Sequence, residues 1–186
     1  EVVDATLHLI DNPQATTGDL MKFVKGPDFP TGGLILGRDG IKDAYQTGRG
    51  SIKMRAKVSI EEGKRGQMLI VVTELPYQAS CSAIASRIQE LVDGGDLDGI
   101  ADVNDNSSGG QTNLIITLKR DANSNVVMNN LFKLTQLQTS FPVNMVALVH
   151  GVPRTLNLRD ALVGYVDHQI EVLVSGKGKK RGIHHQ

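Results

Sequence analysis

The most regular alternation of apolar and polar residues lies between positions 50 and 60. Every second residue from Ile52 to Ile60 is apolar, and the residues between them are mostly basic or polar. A period of two is typical of a strand with one buried face. Residues 63–66 have a turn composition, and residues 68–75 form an almost continuous apolar run. The pattern therefore predicts a β-hairpin whose first strand spans residues 50–60.

Apolar residues three or four positions apart predict helices elsewhere. The first helix begins the chain, with Val2, Val3, Leu7 and Ile10 as its expected apolar face. The other predicted helices span residues 16–24, with Thr16 or Thr17 as the cap, then 39–46, 80–92, 126–134 and 158–172. Further strands are predicted at residues 34–36, which we expect to be buried, and at 100–103, 114–119 and 145–149.

The order of these elements decides the fold class. Strands and helices are mixed but do not alternate as regular parallel units, so we predict an α+β fold with a mixed or antiparallel sheet layered with helices. From Ser175 the pattern gives way to a Gly-Lys-Gly-Lys-Lys-Arg-Gly run, which cannot form a packed core. We therefore predict one folded region at residues 1–174 and a basic, disordered tail at residues 175–186.

Charge is balanced over the whole chain but uneven along it. The 186 residues include 20 Lys and Arg against 20 Asp and Glu, so net charge gives no argument for a nucleic-acid partner. Residues 38–65 contain eight basic and four acidic residues, whereas residues 90–105 contain six acidic residues and no basic one. The molecule should therefore have a positive end and a negative end.

Several classes of site and location are disfavoured. Cys81 is the only cysteine, so there is no disulfide framework and no cysteine metal site, which fits a reducing cytosol. No apolar run approaches the roughly 20 residues that a membrane helix needs, and no signal peptide opens the chain. The first residues already look helical, so we expect a segment of something longer. The carboxylates of residues 93–105 lack the spacing of a calcium loop, and no metal site is predicted.

A run of basic residues is the main candidate for a binding site. Lys53, Arg55 and Lys57 should line one face of the long predicted strand, roughly 6.6 Å apart, and three more basic residues precede them. The candidate phosphate-binding stripe is Arg38, Lys42, Arg49, Lys53, Arg55 and Lys57. Such a stripe adds affinity for nucleic acid without reading its sequence. The alternative is a solvated sheet face whose charges keep an edge strand from pairing, and the residues alone do not choose between the two.

Arg49 is the sharper candidate, and no catalytic residue is predicted. Glycines on both sides of Arg49 can let the backbone approach a ligand and hold the guanidinium clear of the surface. A tyrosine nucleophile would need neighbouring cations or a metal, so Tyr45, Tyr77 and Tyr165 are interpreted as packing residues. The glycines around positions 37–50 lack the spacing of a nucleotide-binding loop.

Six peptides in order resemble the A subunits of DNA gyrase. Three of them are residues 26–33 (Gly-Pro-Asp-Phe-Pro-Thr-Gly-Gly), 44–51 (Ala-Tyr-Gln-Thr-Gly-Arg-Gly-Ser) and 72–78 (Val-Thr-Glu-Leu-Pro-Tyr-Gln). The others are residues 118–123 (Leu-Lys-Arg-Asp-Ala-Asn), 135–141 (Thr-Gln-Leu-Gln-Thr-Ser-Phe) and 144–149 (Asn-Met-Val-Ala-Leu-Val). The A subunits of the related topoisomerase IV are a weaker match, because the Thr-Gln-Leu-Gln peptide is more similar to gyrase.

The resemblance implies a role in a type IIA DNA topoisomerase. Such enzymes cut duplex DNA through a tyrosyl–phosphate linkage, pass a second duplex through the gap and reseal it, and gyrase couples this to ATP hydrolysis to introduce supercoils. By resemblance this chain is the tower segment that supports the DNA arms, and the nucleophilic tyrosine, its arginine neighbour and a wedging isoleucine lie before Glu1. The segment alone should then be inactive.

The resemblance also implies partners and a location. The partners would be duplex DNA, the B subunit of gyrase, and the second copy in a homodimer of A subunits. ATP and Mg²⁺ would be bound by the B subunit, with no cofactor in this segment, and the location would be cytoplasmic and nucleoid-associated. Residues 79–83, 104–111 and 175–186 depart from the family pattern. The competing hypothesis is a structural scaffold or protein-interaction module with no DNA affinity of its own.

Overall fold

The computed structural model describes residues 1–181, with side chains to residue 176. The chain forms two compact units. Unit 1 comprises Glu1–Pro27, Arg38–Ser51 and the chain from Pro142 onward, and unit 2 comprises Asp28–Gly37 and Ile52–Phe141. Each unit is described by itself below.

The described residues contain helices and strands in a mixed order. The helices are α1 (Val2–Asp11), α2 (Thr17–Leu20), α3 (Asp39–Thr47), α4 (Cys81–Asp93), α5 (Ser124–Leu134) and α6 (Leu158–Arg181). The strands are β1 (Leu34–Leu36), β2 (Arg49–Arg55), β3 (Lys57–Glu62), β4 (Met68–Glu74), β5 (Ile100–Asp105), β6 (Leu114–Leu118), β7 (Gln138–Asn144), β8 (Val146–Val149) and β9 (Val152–Thr155). They form sheets of order β1-β2-β7, β3-β4-β6-β5 and β8-β9. The pairs β1–β2, β3–β4, β4–β6, β5–β6 and β8–β9 are antiparallel, which confirms the predicted α+β class.

Unit 2 is built on the four-stranded antiparallel sheet. Ile70 of β4 lies opposite Ile116 of β6, and both are fully buried. The buried sides of α4 and α5, including Ile88 and Leu131, join the same aliphatic cluster. Ser80 caps α4, as its hydroxyl accepts a hydrogen bond from Ala83 N. Burying an aliphatic side chain of this size contributes about 1.5–3 kcal/mol, so this cluster supplies the core that a protein without tryptophan needs.

Unit 1 joins four helices and the β8–β9 hairpin. Helix α6 contacts α1, α2 and α3, and Leu20, Leu158 and Leu162 are buried. The Arg159 guanidinium ties α6 to the connection between α1 and α2: Nε donates to the Ala15 carbonyl at 2.8 Å and Nη2 to that of Pro13 at 2.9 Å. These bonds fix the chain immediately before the capping box of α2.

The predicted strand at residues 50–60 is two strands, so that prediction is wrong. β2 ends at Arg55, β3 begins at Lys57, and the two belong to different sheets. Between them Ala56 N donates to the Leu137 carbonyl at 2.7 Å, and a register shift follows at Lys57. The alternation continues across the break because Ala56 is itself buried, so a period of two does not mark it. Consequently the basic residues of this stretch do not share one face of one strand.

Other differences concern which residues are buried. Helix α1 buries Ala5 and Leu9, whereas the expected apolar face is exposed, with Val3 at 69% and Leu7 at 55%. The small Ala5 and the Leu9 four residues later share one side of the helix, so spacing among the larger residues indicated the wrong face. Strand β1 is not buried as predicted, since Leu34 is 49% exposed. Strands β7 and β9 were not predicted, because their sequences contain proline and many polar residues.

The last helix is longer than predicted. α6 continues through Ser175 to Arg181, within the stretch for which the sequence predicts a disordered tail. The described side chains from Ile170 to Gly176 are exposed, so at residues 170–176 local helical hydrogen bonding, and not burial, accounts for the helix. Residues 182–186 lie outside the described residues. Within residues 1–181, no helix combines the length and the apolar character needed to cross a membrane.

Candidate nucleic-acid interface

The structure divides the predicted basic stripe between the two units. Unit 1 contains Arg38, Lys42 and Arg49, and unit 2 contains Lys53, Arg55 and Lys57. Five of these side chains are exposed, and that of Arg55 is half-buried. The six residues therefore form two groups of three, one in each unit.

Arg38 and Lys42 lie at the beginning of α3. Arg38 is the N-cap residue, and its carbonyl accepts a hydrogen bond from Lys42 N at 2.9 Å. Residues four apart on a helix are neighbours on one side of it. On that side they line a cavity of about 490 Å³, which we call the basic cleft; its lining residues are Gly18, Met21, Lys22, Lys25, Arg38, Ile41 and Lys42.

Lys22 and Lys25 are the basic residues that sequence reasoning missed. Lys22 lies in the turn that follows α2, where Phe23 N and Val24 N both donate to the Leu20 carbonyl, and Lys25 follows it by three residues. Lys22 lies 3.7 Å from Asp19, and both side chains are well exposed, so this ion pair contributes little to stability. The signal in the sequence was that the two lysines are three residues apart and flank Val24, an apolar residue that is buried, whereas both lysine side chains are exposed to solvent.

The glycines beside Arg49 have a packing role. A Cβ on Gly50 would lie 2.6 Å from the Gly40 carbonyl oxygen, and one on Gly48 would lie 2.6 Å from that of Leu156. Gly48 also ends α3 in the left-handed conformation, with φ of 82°, which favours glycine. These glycines therefore let segments of the backbone of unit 1 pack closely against one another, and not against a ligand. The Arg49 side chain is exposed.

Strand β2 gives Lys53 a solvent-facing position. Ile52 and Met54 on either side are each 2% exposed, whereas the Lys53 side chain is exposed. This alternation follows from the pleat of a strand with one buried face. Lys57 is also exposed but lies on β3, in the other sheet.

Arg55 is held by contacts within unit 2. Its guanidinium carbon lies 4.3 Å from the centroid of the Phe132 ring, and Nε and Nη2 both donate to Gln138 Oε1, at 3.0 and 2.7 Å. A guanidinium with this stacking and forked hydrogen bonding is positioned mainly by the fold. Of the six predicted residues, Arg55 is thus the least available to a ligand.

Titratable groups elsewhere are shifted for local reasons. Hydrogen bonds from the backbone and hydroxyl of Thr16 lower the pKa of Asp19, and those from Ser107 lower the pKa of Asp105. Burial raises the pKa of the Cys81 thiol. Within residues 1–181, no group of three His, Cys, Asp or Glu side chains could hold a metal ion.

The tyrosines occupy three different environments. Tyr45 is buried in α3, and Tyr165 on α6 is 56% exposed. Tyr77 packs its ring 5.6 Å from those of Phe29 and Phe141. Phe29 and Phe141 also lie edge to face at 5.3 Å, an arrangement that adds to packing stability. Tyr77 and Tyr45 are therefore packing residues, as predicted.

Comparison with known proteins identifies close relatives. Residues 1–181 match the family model that describes the A subunit of DNA gyrase/topoisomerase IV. The DNA gyrase A subunit of Staphylococcus epidermidis is 48% identical over 174 residues, which cover 93% of this chain and 20% of that protein. Its counterpart in Streptococcus pneumoniae is 47% identical, covering 94% and 21%, and that of Granulibacter bethesdensis is 47% identical, covering 94% and 18%.

The relatives bear on two expectations. The chain spans about a fifth of the length of these relatives. All three are named as A subunits of DNA gyrase, so the topoisomerase IV alternative is not favoured. The family match reaches residue 181, beyond the boundary expected at residue 174, and that boundary itself stays a prediction.

Proposed function

We propose that this chain, which belongs to the family of DNA gyrase and topoisomerase IV A subunits, binds the backbone of duplex DNA as one segment of a type IIA topoisomerase. In the complete enzyme this segment would support the cleaved duplex during ATP-dependent strand passage and supercoiling. The nucleophilic tyrosine, ATP and Mg²⁺ would be supplied by the remaining parts of the A-subunit dimer together with the B subunits of gyrase.

The observation that carries the proposal is a set of exposed cations without ionic partners. Arg38, Lys42, Arg49 and Lys53 are exposed, and the only side-chain ion pairs among residues 1–176 are Lys22–Asp19, Arg87–Glu90 and Arg159–Asp160. Exposed cations of this kind can neutralise phosphates and release the counterions condensed on DNA. They contact the backbone and not the base edges, so the binding would be independent of sequence.

The proposal is tested by fluorescence anisotropy of a labelled duplex across a salt series. Log K should fall linearly with log salt, at about −0.9 per phosphate contacted. The double variant Arg49→Gln/Lys53→Gln should reduce the magnitude of this slope by about 1.8, with an unchanged melting temperature. The matched control is Lys119→Gln/Arg120→Gln, which removes the same charges from exposed positions.

Two results would contradict the proposal. The wild-type chain could show no binding even at low salt, or the Arg49/Lys53 variant could bind as its control does. In the second case these two positions would serve solubility only, and the contacts would lie elsewhere.

A scaffold that contacts protein is the second candidate, and one observation favours it. Unit 1 exposes large apolar side chains on α1 and α6, among them Val3 at 69%, Leu7 at 55%, Leu173 at 63% and Val174 at 66%. Exposed apolar surface of this kind often marks a protein interface. This candidate gains if the chain has no affinity for DNA.

We also propose that the chain alone cleaves no DNA, because Tyr45 and Tyr77 are packed and no group of side chains among the described residues could hold a metal ion beside the exposed Tyr165. Incubating it with supercoiled plasmid and Mg²⁺ should leave the plasmid intact. Nicked or linear DNA covalently attached to the protein would contradict this.

A further inference from the structure

We propose that the basic cleft of unit 1 is a binding site for DNA backbone phosphates, in which Lys22 and Lys25 act together with Arg38 and Lys42. The proposal rests on the proposed function, since it assigns one location and two additional residues to the same DNA-binding activity. Lys22 and Lys25 lie outside the stripe that the sequence predicted.

The two pairs of cations come from two separate segments of unit 1. Lys22 and Lys25 follow α2, and Arg38 and Lys42 belong to the beginning of α3. Arg38 and Lys42 are four residues apart at the start of α3, which places them on one side of that helix. Lys22 lies in the turn after α2, and Lys25 follows it by three residues. Helices α2 and α3 contact each other, and Leu20 of α2 and Ile41 of α3 are both buried. The cleft is therefore fixed by the fold and not by the charges.

The charge balance within the cleft favours an anion. Four of the seven lining residues are basic, and none of those the structure describes is acidic. Asp19 pairs with Lys22 at 3.7 Å, whereas Asp39 and Asp43 of α3 do not line the cavity. Cations gathered in a concave surface reinforce one another's potential and raise the local concentration of anions more than the same charges on a convex surface do.

The rest of the lining indicates which anion fits. A pocket of about 490 Å³ could hold several phosphate oxygens or a small nucleotide. Its only apolar side chains are Met21 and Ile41, so among the described residues no aromatic ring is present on which a base could stack. No amide side chain is present to read a base edge either. The lining thus matches a backbone phosphate, which needs cations alone.

The test compares Lys22→Gln/Lys25→Gln with Lys64→Gln/Lys119→Gln in the same anisotropy salt series. Both variants replace two exposed lysines by glutamines, but only the first pair lines the cleft. We expect the cleft variant to lose about 1.8 from the magnitude of the salt slope, and the control to match wild type. Lys22→Arg/Lys25→Arg should retain the wild-type slope, which a merely structural role of the lysines would not require.

Circular dichroism and melting curves verify that all variants fold. If wild type binds DNA but the cleft variant behaves as the control does, the cleft assignment is wrong and the proposed function stands. If wild type shows no salt-dependent binding, both are wrong. Displacement of the duplex by micromolar ATP at constant ionic strength would identify a small polyphosphate site and overturn the assignment to backbone phosphates.

Discussion

Replacing Gly50 by alanine is the sharpest test of how unit 1 is built. An added Cβ would lie 2.6 Å from the Gly40 carbonyl oxygen and 2.8 Å from Ala44 N. Both atoms belong to the backbone of α3, so no side-chain rotation can relieve the contact. The φ angle of Gly50 is not in the left-handed region, and the effect of the substitution is therefore steric and not conformational.

The magnitude follows from two opposing terms. Ordinary Cβ contacts begin near 3.4 Å, so α3 and β2 would have to separate by about 0.8 Å, and overpacking of this kind costs about 1–3 kcal/mol. Alanine also restricts the unfolded chain, which offsets about 0.4–1 kcal/mol of that cost. The steric term is the larger, and we expect Gly50→Ala to lower the free energy of unfolding by about 1–2 kcal/mol.

Urea denaturation followed by circular dichroism measures this change. For a slope of about 2 kcal/mol per molar urea, the midpoint should fall by about 0.5–1 M. The matched control is Gly164→Ala in α6, where a Cβ meets nothing within 4 Å, and which should stabilise by about 0.5–1 kcal/mol. A Gly50→Ala midpoint equal to or above that of wild type would refute the argument that this glycine permits close backbone packing.

Three further predictions concern a cap, a thiol and an arginine. Thr16→Ala removes the hydroxyl that accepts from Asp19 N in the capping box of α2, and should cost about 1 kcal/mol by urea denaturation. Because the Thr16 hydroxyl also contributes to the lowered pKa of Asp19, this cost should shrink as the pH falls through that lowered pKa. The Cys81 thiol, with its raised pKa, should react with iodoacetamide more slowly at pH 8 than free cysteine does. Arg55→Lys breaks the forked bond to Gln138 and should destabilise by about 1–2 kcal/mol without changing DNA affinity.

Local signals predicted most of the helices and the central hairpin. The helices predicted at residues 39–46 and 80–92 are α3 and α4 of the structure. Gly48 ends α3 in the left-handed conformation, and Ser80 caps α4. The turn at residues 63–66 joins β3 to β4. These features depend on hydrogen bonds between residues close in the chain, so the residues that make them can be found in the sequence.

Long-range features were not predictable in the same way. The break at Ala56 is made by a hydrogen bond to Leu137, far along the chain, and the alternation passes through it unchanged. The buried side of α1 was misjudged because Ala5, a small residue, is fully buried. A search for apolar periodicity gives most weight to large hydrophobic residues. Burial depends instead on which side of the helix packs against another element.

The basic residues of the candidate site also divide into those that local patterns indicate and those that only long-range contacts bring together. Strand alternation correctly indicated that Lys53 is exposed, but exposure alone is shared by any solvated charge. The approach of two segments selects Lys22, Lys25, Arg38 and Lys42, because they line one cavity. That convergence is a property of the fold, so counting charges along residues 38–65 could find only half of the set.

A physical consequence follows for how DNA affinity should be distributed. At physiological salt, mobile ions screen the attraction between DNA and an exposed cation on a flat surface, so the loss of one such cation changes the affinity for DNA little. Cations that share a concave site repel one another when it is empty and relieve that repulsion only when an anion enters. The free energy gained per phosphate should therefore be greater in the basic cleft than along β2. We therefore expect Lys22→Gln/Lys25→Gln and Arg49→Gln/Lys53→Gln to change the salt slope equally. The first variant should nevertheless lose more DNA affinity than the second, and the reverse order would contradict the argument.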